Sequence, residues 1–128
     1  MTTEPGTESD AALRKFQKEL SAGTVSLVLL SVLGQAGEPM YGYQIAKRLE
    51  RGGDSLGGKQ SALYPVLRNL HAGGLLDSFV EPSVSGPPRR YYAITAEGRR
   101  VLDEWTSAWT DARDFVDSIL SASQGPRA

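Results

Sequence analysis

The residues best suited to bind a charged partner lie in the stretch KQSALYPVLRNLHAGGLL, residues 59–76. Its apolar side chains recur at helical spacing and predict a short helix with one buried face: Leu63, Val66, Leu67 and Leu70. The other face carries cations, hydroxyls and amides but no carboxylate: Lys59, Gln60, Ser61, Tyr64, Arg68 and Asn69. Such a face suits an anionic partner with hydrogen-bonding edges, such as the major groove of DNA.

Proline and glycine predict where this helix begins and ends. A proline in a helix interior costs about 3 kcal/mol, but near the first turn its missing amide has little to bond. We therefore expect the helix to start near Lys59 or Gln60 and to tolerate Pro65, while Gly73-Gly74 ends it. The backbone amides at its start also favour phosphate, which adds to the case for DNA contacts by Lys59, Gln60 and Ser61.

A second pair of cations, Arg89 and Arg90, follows a loop. Residues 75–81 and 89–95 have the composition of two strands, and the loop between them, PSVSGPP at 82–88, predicts nothing regular. Two strands around a loop predict a hairpin, which directly after a DNA-reading helix is called a wing. Arg89 and Arg90 would stand at the base of its loop, where they can meet phosphate or a minor groove.

Two apolar segments precede these elements. Residues 10–20 predict an amphipathic helix, which either covers its own domain or crosses to a second subunit, with an apolar stripe of Leu13, Phe16 and Leu20. Residues 25–33, VSLVLLSVL, predict a buried helix or a strand. Thr24 as an N-cap and glycines at 34 and 37 as stop signals favour the helix. Gly23-Thr24 would break or only bend the chain between the two segments.

Residues 41–51, YGYQIAKRLER, predict one more helix. Its expected inward residues are Tyr43, Ile45, Ala46 and Leu49. Its expected outward residues are Lys47, Arg48 and Arg51. Three successive helices, the last two joined by a glycine-containing turn, form a helix-turn-helix pattern.

The C-terminal part predicts one long helix, capped by Thr95 and extending to about residue 122. Its broad apolar stripe comprises Val101, Leu102, Trp105, Ala108, Trp109, Ala112, Phe115, Val116, Ile119 and Leu120. Little of the small domain is left to cover such a stripe, so a second copy of the chain is the simplest partner. We expect a disordered tail at 1–8, a winged helix-turn-helix domain with its N-terminal helix at 9–95, a dimerisation helix at 96–123 and a frayed tail at 124–128.

Composition narrows the classes of function. The 128 residues carry a net charge of −1, with seven cations against five acids at 38–95 and four against six at 96–128. There is no cysteine, and His71 is the only histidine, so we expect no metal site and no cofactor. No phosphate loop and no nucleophile paired with a base is present, so we expect no enzyme. The acidic N-terminus and the absence of a fully apolar run of about 18 residues predict a cytoplasmic protein without a membrane span.

With these residues assembled, the chain resembles the PadR family of bacterial transcriptional regulators. The matching segments are GTVSLVLLSVL, MYGYQIAKRLE, SALYPVLRNLHAGGLL and GPPRRYYAIT followed by AEGRRVLDEW, within residues 20–110. The single C-terminal helix resembles the smaller subfamily. Two positions depart from the family pattern: Tyr41 replaces a histidine, and the segment from Arg68 to His71 lacks a glutamate.

The resemblance implies a mostly α-helical winged helix-turn-helix homodimer that represses genes from a palindromic operator of double-stranded DNA. Ser61, Tyr64 and Pro65 match the family's recognition-helix motif, and Arg89 and Arg90 match its wing. Some members bind a planar aromatic or cationic effector at the dimer interface through a tryptophan of the C-terminal helix, which implies a ligand contact for Trp109. Trp105, on the same apolar stripe, is the second candidate for a ligand contact. The expected interface residues are Leu13, Phe16, Leu102, Trp105, Trp109, Ala112, Val116 and Ile119. The near-neutral charge leaves a winged-helix protein-interaction module as the alternative.

Overall fold

The computed structural model describes residues 8–50 and 63–124 as four helices and three strands. In chain order they are α1 (Glu8–Ala36), β1 (Met40–Tyr41), α2 (Gly42–Leu49), α3 (Leu63–Ala72), β2 (Leu76–Ser83), β3 (Gly86–Ile94) and α4 (Ala96–Gln124). The strands form an antiparallel sheet in the order β1-β3-β2. This arrangement confirms the predicted mostly α fold with a small β-hairpin.

Helix α1 is continuous from Glu8 to Ala36, so of the two alternatives for Gly23-Thr24 the break is excluded. The predicted N-cap role of Thr24 was wrong, because its hydroxyl donates to the carbonyl of Leu20 at 2.8 Å, a bond within the helix. A glycine inside a helix costs about 1 kcal/mol, which the burial of Leu29, Leu30 and Leu33 offsets. The helix ends at Ala36, and the next residue, Gly37, has a φ of 72°, which glycine adopts readily.

The core lies where the second half of α1 meets α2, α3 and the base of the sheet. Its buried apolar residues are Leu29, Leu30, Val32, Leu33, Met40, Ile45, Leu49, Leu63, Leu67, Leu70, Leu76 and Tyr92. By length and composition alone α1 could also cross a membrane. Its last two turns, however, supply the centre of this core, and that is the role of a core helix in a folded domain.

The short strand β1 places the start of α2 differently from the prediction. Tyr41 pairs with Tyr91 of β3 and precedes α2, and its N–H donates to the side chain of Gln44 at 3.1 Å. The buried residues of α2 are Gly42, Ile45 and Leu49, a spacing of three and four that leaves Tyr43 on another side of the helix. Tyr43, predicted to face inward, is 58% exposed instead.

The wing contains more regular structure than the prediction of a long loop at 82–88 allowed. Strands β2 and β3 reach Ser83 and Gly86, so only Val84-Ser85 forms the turn. The prolines fit because β1 pairs with β3 only at residues 91–92, which leaves one edge of β3 without a neighbouring strand around Pro87 and Pro88. The register shifts between Glu81 and Ser83, so Pro82 sits at a bulge.

Helix α4 begins as predicted, with Thr95 as its cap. The Thr95 hydroxyl accepts a hydrogen bond from Gly98 N–H at 2.9 Å and donates to the Gly74 carbonyl at 2.8 Å. The cap thus ties α4 to the turn after α3. In the first turns, the exposed guanidinium of Arg100 bonds Glu97 and Glu104. Its hydrogen bond to Glu97 holds the pKa of that carboxyl below its usual range.

Candidate nucleic-acid interface

Helix α3 presents a polar face outside the core, as its spacing predicts. Leu63, Leu67 and Leu70 are buried, whereas Tyr64, Pro65 and Arg68 are exposed. Helix α3 is described from Leu63, so Lys59, Gln60 and Ser61 lie outside the described residues. Their proposed DNA contacts remain predictions.

Tyr64 has a structural contact besides its exposed surface. It is 41% exposed, but a Cβ added at Gly42 would lie 2.5 Å from its hydroxyl oxygen. The ring of Tyr64 therefore lies against the first residue of α2, and a side chain at position 42 would require the ring to move. This contact joins α2 and α3, the two helices of the helix-turn-helix.

A cleft of about 400 Å³ lies between α3 and the wing strands. The helix contributes Tyr64, Arg68 and His71, and the strands contribute Ser78, Arg90 and Tyr92. We call this feature the helix–wing cleft. The Arg90 guanidinium donates to the Ser78 hydroxyl at 3.0 Å. The cleft therefore brings together three of the predicted site residues, Tyr64, Arg68 and Arg90.

Arg89 lies on the other face of β3, because neighbouring residues in a strand point to opposite sides. Its guanidinium stacks on the Tyr41 ring, 4.5 Å from the centroid. Tyr41 in turn contacts Tyr91, whose ring stacks on Phe79. The two neighbouring arginines of the wing thus serve different surfaces, and only Arg90 joins the helix–wing cleft.

The sequence prediction missed His71 and Ser78 as members of this site. His71 follows Arg68 by three residues and Tyr64 by seven, a helical spacing that already places the three on one side. Ser78 alternates with Phe79 along β2, so strand periodicity places it on the side of the sheet that faces α3. The necessary signals were present, but only the packing of helix against wing joins them.

The first half of α1 and most of α4 carry apolar side chains that their own chain leaves exposed: Leu13, Phe16, Leu20, Trp109, Phe115, Val116, Ile119 and Leu120. Ala112 is exposed as well. Leu102 and Trp105 differ, because they pack partly buried against the core of the same chain. At that point α1 and α4 approach closely, and a Cβ at Gly34 would lie 3.3 Å from Leu102 Cδ2.

A groove of about 560 Å³ follows the seam between α1 and α4. Trp109 borders it from α4 and is 39% exposed. The α1 side consists mainly of apolar and small polar residues: Leu20, Thr24, Leu27, Val28, Ser31, Val32 and Gln35. Trp105, the other predicted ligand residue, is not part of this lining. The groove is lined by uncharged side chains and suits a flat apolar molecule or an apolar helix.

The comparisons with known proteins agree with this architecture. Residues 29–104 match the family model of the transcriptional regulator PadR-like family. The matched range begins in the second half of α1 and ends in the first turns of α4. The exposed apolar residues of both helices therefore lie outside it. No curated protein matches the chain.

Several solved structures share the fold over nearly their whole length. A PadR family transcriptional regulator from Eggerthella lenta is 36% identical, with a TM-score of 0.76, and the alignment covers 90% of this chain and 97% of that one. A PadR-like transcriptional regulator from Bacillus cereus is 26% identical, with a TM-score of 0.66 and coverage of 80% and 96%. A PadR family transcription regulator from Clostridium difficile is 26% identical, with a TM-score of 0.64 and coverage of 76% and 98%.

These matches and the winged helix-turn-helix geometry point the same way. The family match covers more than half of the chain, and the Eggerthella structure exceeds it at both ends. The matched family and the similar solved structures are transcriptional regulators. The chain belongs to the PadR-like family of transcriptional regulators.

Proposed function

We propose that the chain acts as a homodimeric repressor that binds a palindromic operator and is released by a planar ligand at the dimer interface. The observation that supports a dimer is the set of apolar side chains that are exposed on α1 and α4 within one chain. Phe115 is 65% exposed, and Val116, Ile119 and Leu120 beside it are each about half exposed. Their burial against a second copy would stabilise the pair by roughly 25 cal/mol for each Å² removed from water.

The DNA-reading surface in this proposal is the outer face of α3 together with the wing. Helix α3 would enter the major groove with Tyr64, Pro65 and Arg68, preceded by Lys59, Gln60 and Ser61. Arg89 and Arg90 would follow the backbone beside it. Two copies related by a two-fold axis would hold two such surfaces about 34 Å apart, one turn of DNA. We further propose that the protein works in the cytoplasm.

DNA binding is tested by selecting duplexes from a random pool with the purified full chain and measuring affinity at several salt concentrations. We expect a palindromic consensus and an affinity that falls steeply with salt, because each neutralised phosphate contributes about −0.9 to the slope of log K against log salt. Recovery of no consensus, with no binding at low salt, would contradict this function. It would favour the protein-interaction module.

Ligand release is tested with a planar aromatic dye that fits the uncharged groove beside Trp109. We expect the dye to quench tryptophan fluorescence and to weaken DNA binding in parallel, because a ligand between the subunits changes the spacing of the two α3 helices. Trp109→Phe, which keeps an aromatic side chain in the expected interface, should lose most of the quenching and keep the dimer and DNA binding, and sedimentation equilibrium checks the dimer. Quenching without any change in DNA affinity would contradict the release mechanism.

A further inference from the structure

We infer that the helix–wing cleft is the seat of a single DNA backbone phosphate, held jointly by Arg68 and Arg90 with His71 at its edge. The inference rests on the proposed DNA-binding function and narrows it. It assigns to these arginines the positioning of the duplex rather than the reading of bases. It also adds His71 to the residues that contact DNA.

Geometry brings the donors together from two separate elements. Tyr64, Arg68 and His71 lie on one side of α3, and Arg90 faces them from β3 across a cleft of about 400 Å³. Tyr92, only 3% exposed, forms the buried floor. The opening is therefore concave and lined on both sides by hydrogen-bond donors, because hydroxyls, guanidinium groups and an imidazole all carry N–H or O–H groups.

The charge of the lining fits an anion. Among the described residues that line the cleft, two are arginines and none is acidic. The acidic residues of β2, Asp77 and Glu81, alternate to the other face of the strand. An anion in the cleft therefore meets positive charge from both sides, and no carboxylate belongs to the described lining.

A hydrogen bond to Ser78 orients the Arg90 guanidinium in the free protein. The Ser78 hydroxyl accepts one guanidinium N–H at 3.0 Å, and a guanidinium has further N–H groups that can bind a second partner. A planar guanidinium pairs with phosphate oxygens through two parallel hydrogen bonds. Fixing Arg90 against the strand reduces the side-chain entropy lost on binding.

The position of the cleft identifies the source of the phosphate. In winged helix-turn-helix docking the recognition helix enters the major groove and the wing lies over the adjacent backbone or minor groove. The sugar-phosphate backbone of the DNA strand that separates those two grooves must then pass between α3 and the wing. The helix–wing cleft is the concave, cationic point on that path, so a backbone phosphodiester fits it better than a base edge.

The experiment combines arginine variants with neutralised phosphates. The probe is a duplex selected by the full chain, prepared as a series in which one phosphate at a time is a neutral methylphosphonate. We expect one position in each half-site at which the wild type loses about tenfold in affinity, the cost of one charged hydrogen-bonded contact. Each variant removes the contact in both subunits, so Arg68→Ala and Arg90→Ala should each bind the unmodified duplex about tenfold more weakly per half-site, or roughly 100-fold in total. Each variant should lose little more when the sensitive phosphate is neutralised.

The double variant and a scrambled duplex sharpen the test. Because both arginines hold one phosphate, Arg68→Ala/Arg90→Ala should change the salt slope by about 0.9 per half-site, not twice that value. The loss should be similar on scrambled and selected DNA. Arg100→Ala is the matched control: it removes the same charge from a guanidinium already paired with Glu97 and Glu104, and it should retain the wild-type pattern. Circular dichroism melting checks that each variant is folded.

Several results would overturn the inference. If Arg68 and Arg90 depend on different phosphates, they make separate contacts. If the loss of affinity occurs only on selected DNA, the arginines read bases. Inorganic phosphate could also displace DNA at an ionic strength where chloride has no effect. If no methylphosphonate position is then sensitive, the cleft is a site for a free anion. Failure of the wild type to bind any duplex would instead overturn the proposed function together with the cleft.

Discussion

The double variant Val116→Asp/Ile119→Asp is expected to be a monomer that binds operator DNA at least 100-fold more weakly than the wild type. Both side chains are about half exposed on α4 within one chain and would be buried in the proposed dimer. A buried carboxylate without a partner is costly, and a two-fold axis doubles the number of such groups. Linking two binding sites contributes roughly 10² to 10⁴ in apparent affinity, and a monomer forfeits that gain.

Sedimentation equilibrium and a gel shift with a selected duplex measure the two effects. Ser121→Asp is the matched control, because it adds an acidic residue in the same turns of α4 on the side opposite the apolar stripe. It should leave the dimer and the affinity near wild type. A double aspartate variant that remains a dimer would show that the subunits associate through another surface.

Gly98→Ala is expected to destabilise the fold by about 3 kcal/mol, near the upper end for overpacking a close contact. An added Cβ would overlap the carbonyl oxygen of Leu75 and lie 2.8 Å from Ile94 Cγ1. The first of these atoms belongs to the backbone, so no change of rotamer relieves the overlap. The same residue donates its N–H to the Thr95 cap, so any shift also weakens the start of α4.

Thermal melting at one protein concentration tests this expectation, since the melting point of a dimer depends on concentration. We expect the midpoint to fall by roughly 10 °C. Gly23→Ala is the control within a helix. Apart from its chain neighbours and the backbone of its own helix, no atom of the described residues lies within 4 Å of the added Cβ, and alanine stabilises a helix interior by about 0.5–1 kcal/mol. An unchanged midpoint for Gly98→Ala would contradict the close approach of α4 to the turn after α3.

Several parts of the molecule followed from local patterns in the sequence. The buried face of α3, the end of α3 at Gly73-Gly74 and the Thr95 cap of α4 were all predictable. Apolar spacing, glycine conformation and side-chain capping act within a few residues, so the neighbouring sequence contains the information. The exposed cations Arg68, Arg89 and Arg90 were found for the same reason.

The continuity of α1 and the start of α2 depended on distant contacts. Gly23-Thr24 could break or bend the chain, yet the helix continues because its second half is buried against α2, α3 and the sheet. Tyr41 stays outside α2 and pairs with Tyr91, fifty residues away. Local propensity is worth tenths of a kcal/mol per residue, and core burial outweighs it.

The candidate site also combines features that local sequence predicts with features that depend on tertiary packing. The sequence by itself determined that a cationic helix face and two wing arginines exist, since residue type and periodicity are local properties. Only the tertiary structure decided that Arg68, His71 and Arg90 share one cleft while Arg89 stacks on Tyr41 across the sheet. The physical reason is that the packing of α3 against the wing depends on the shape of the whole core, which no single segment encodes.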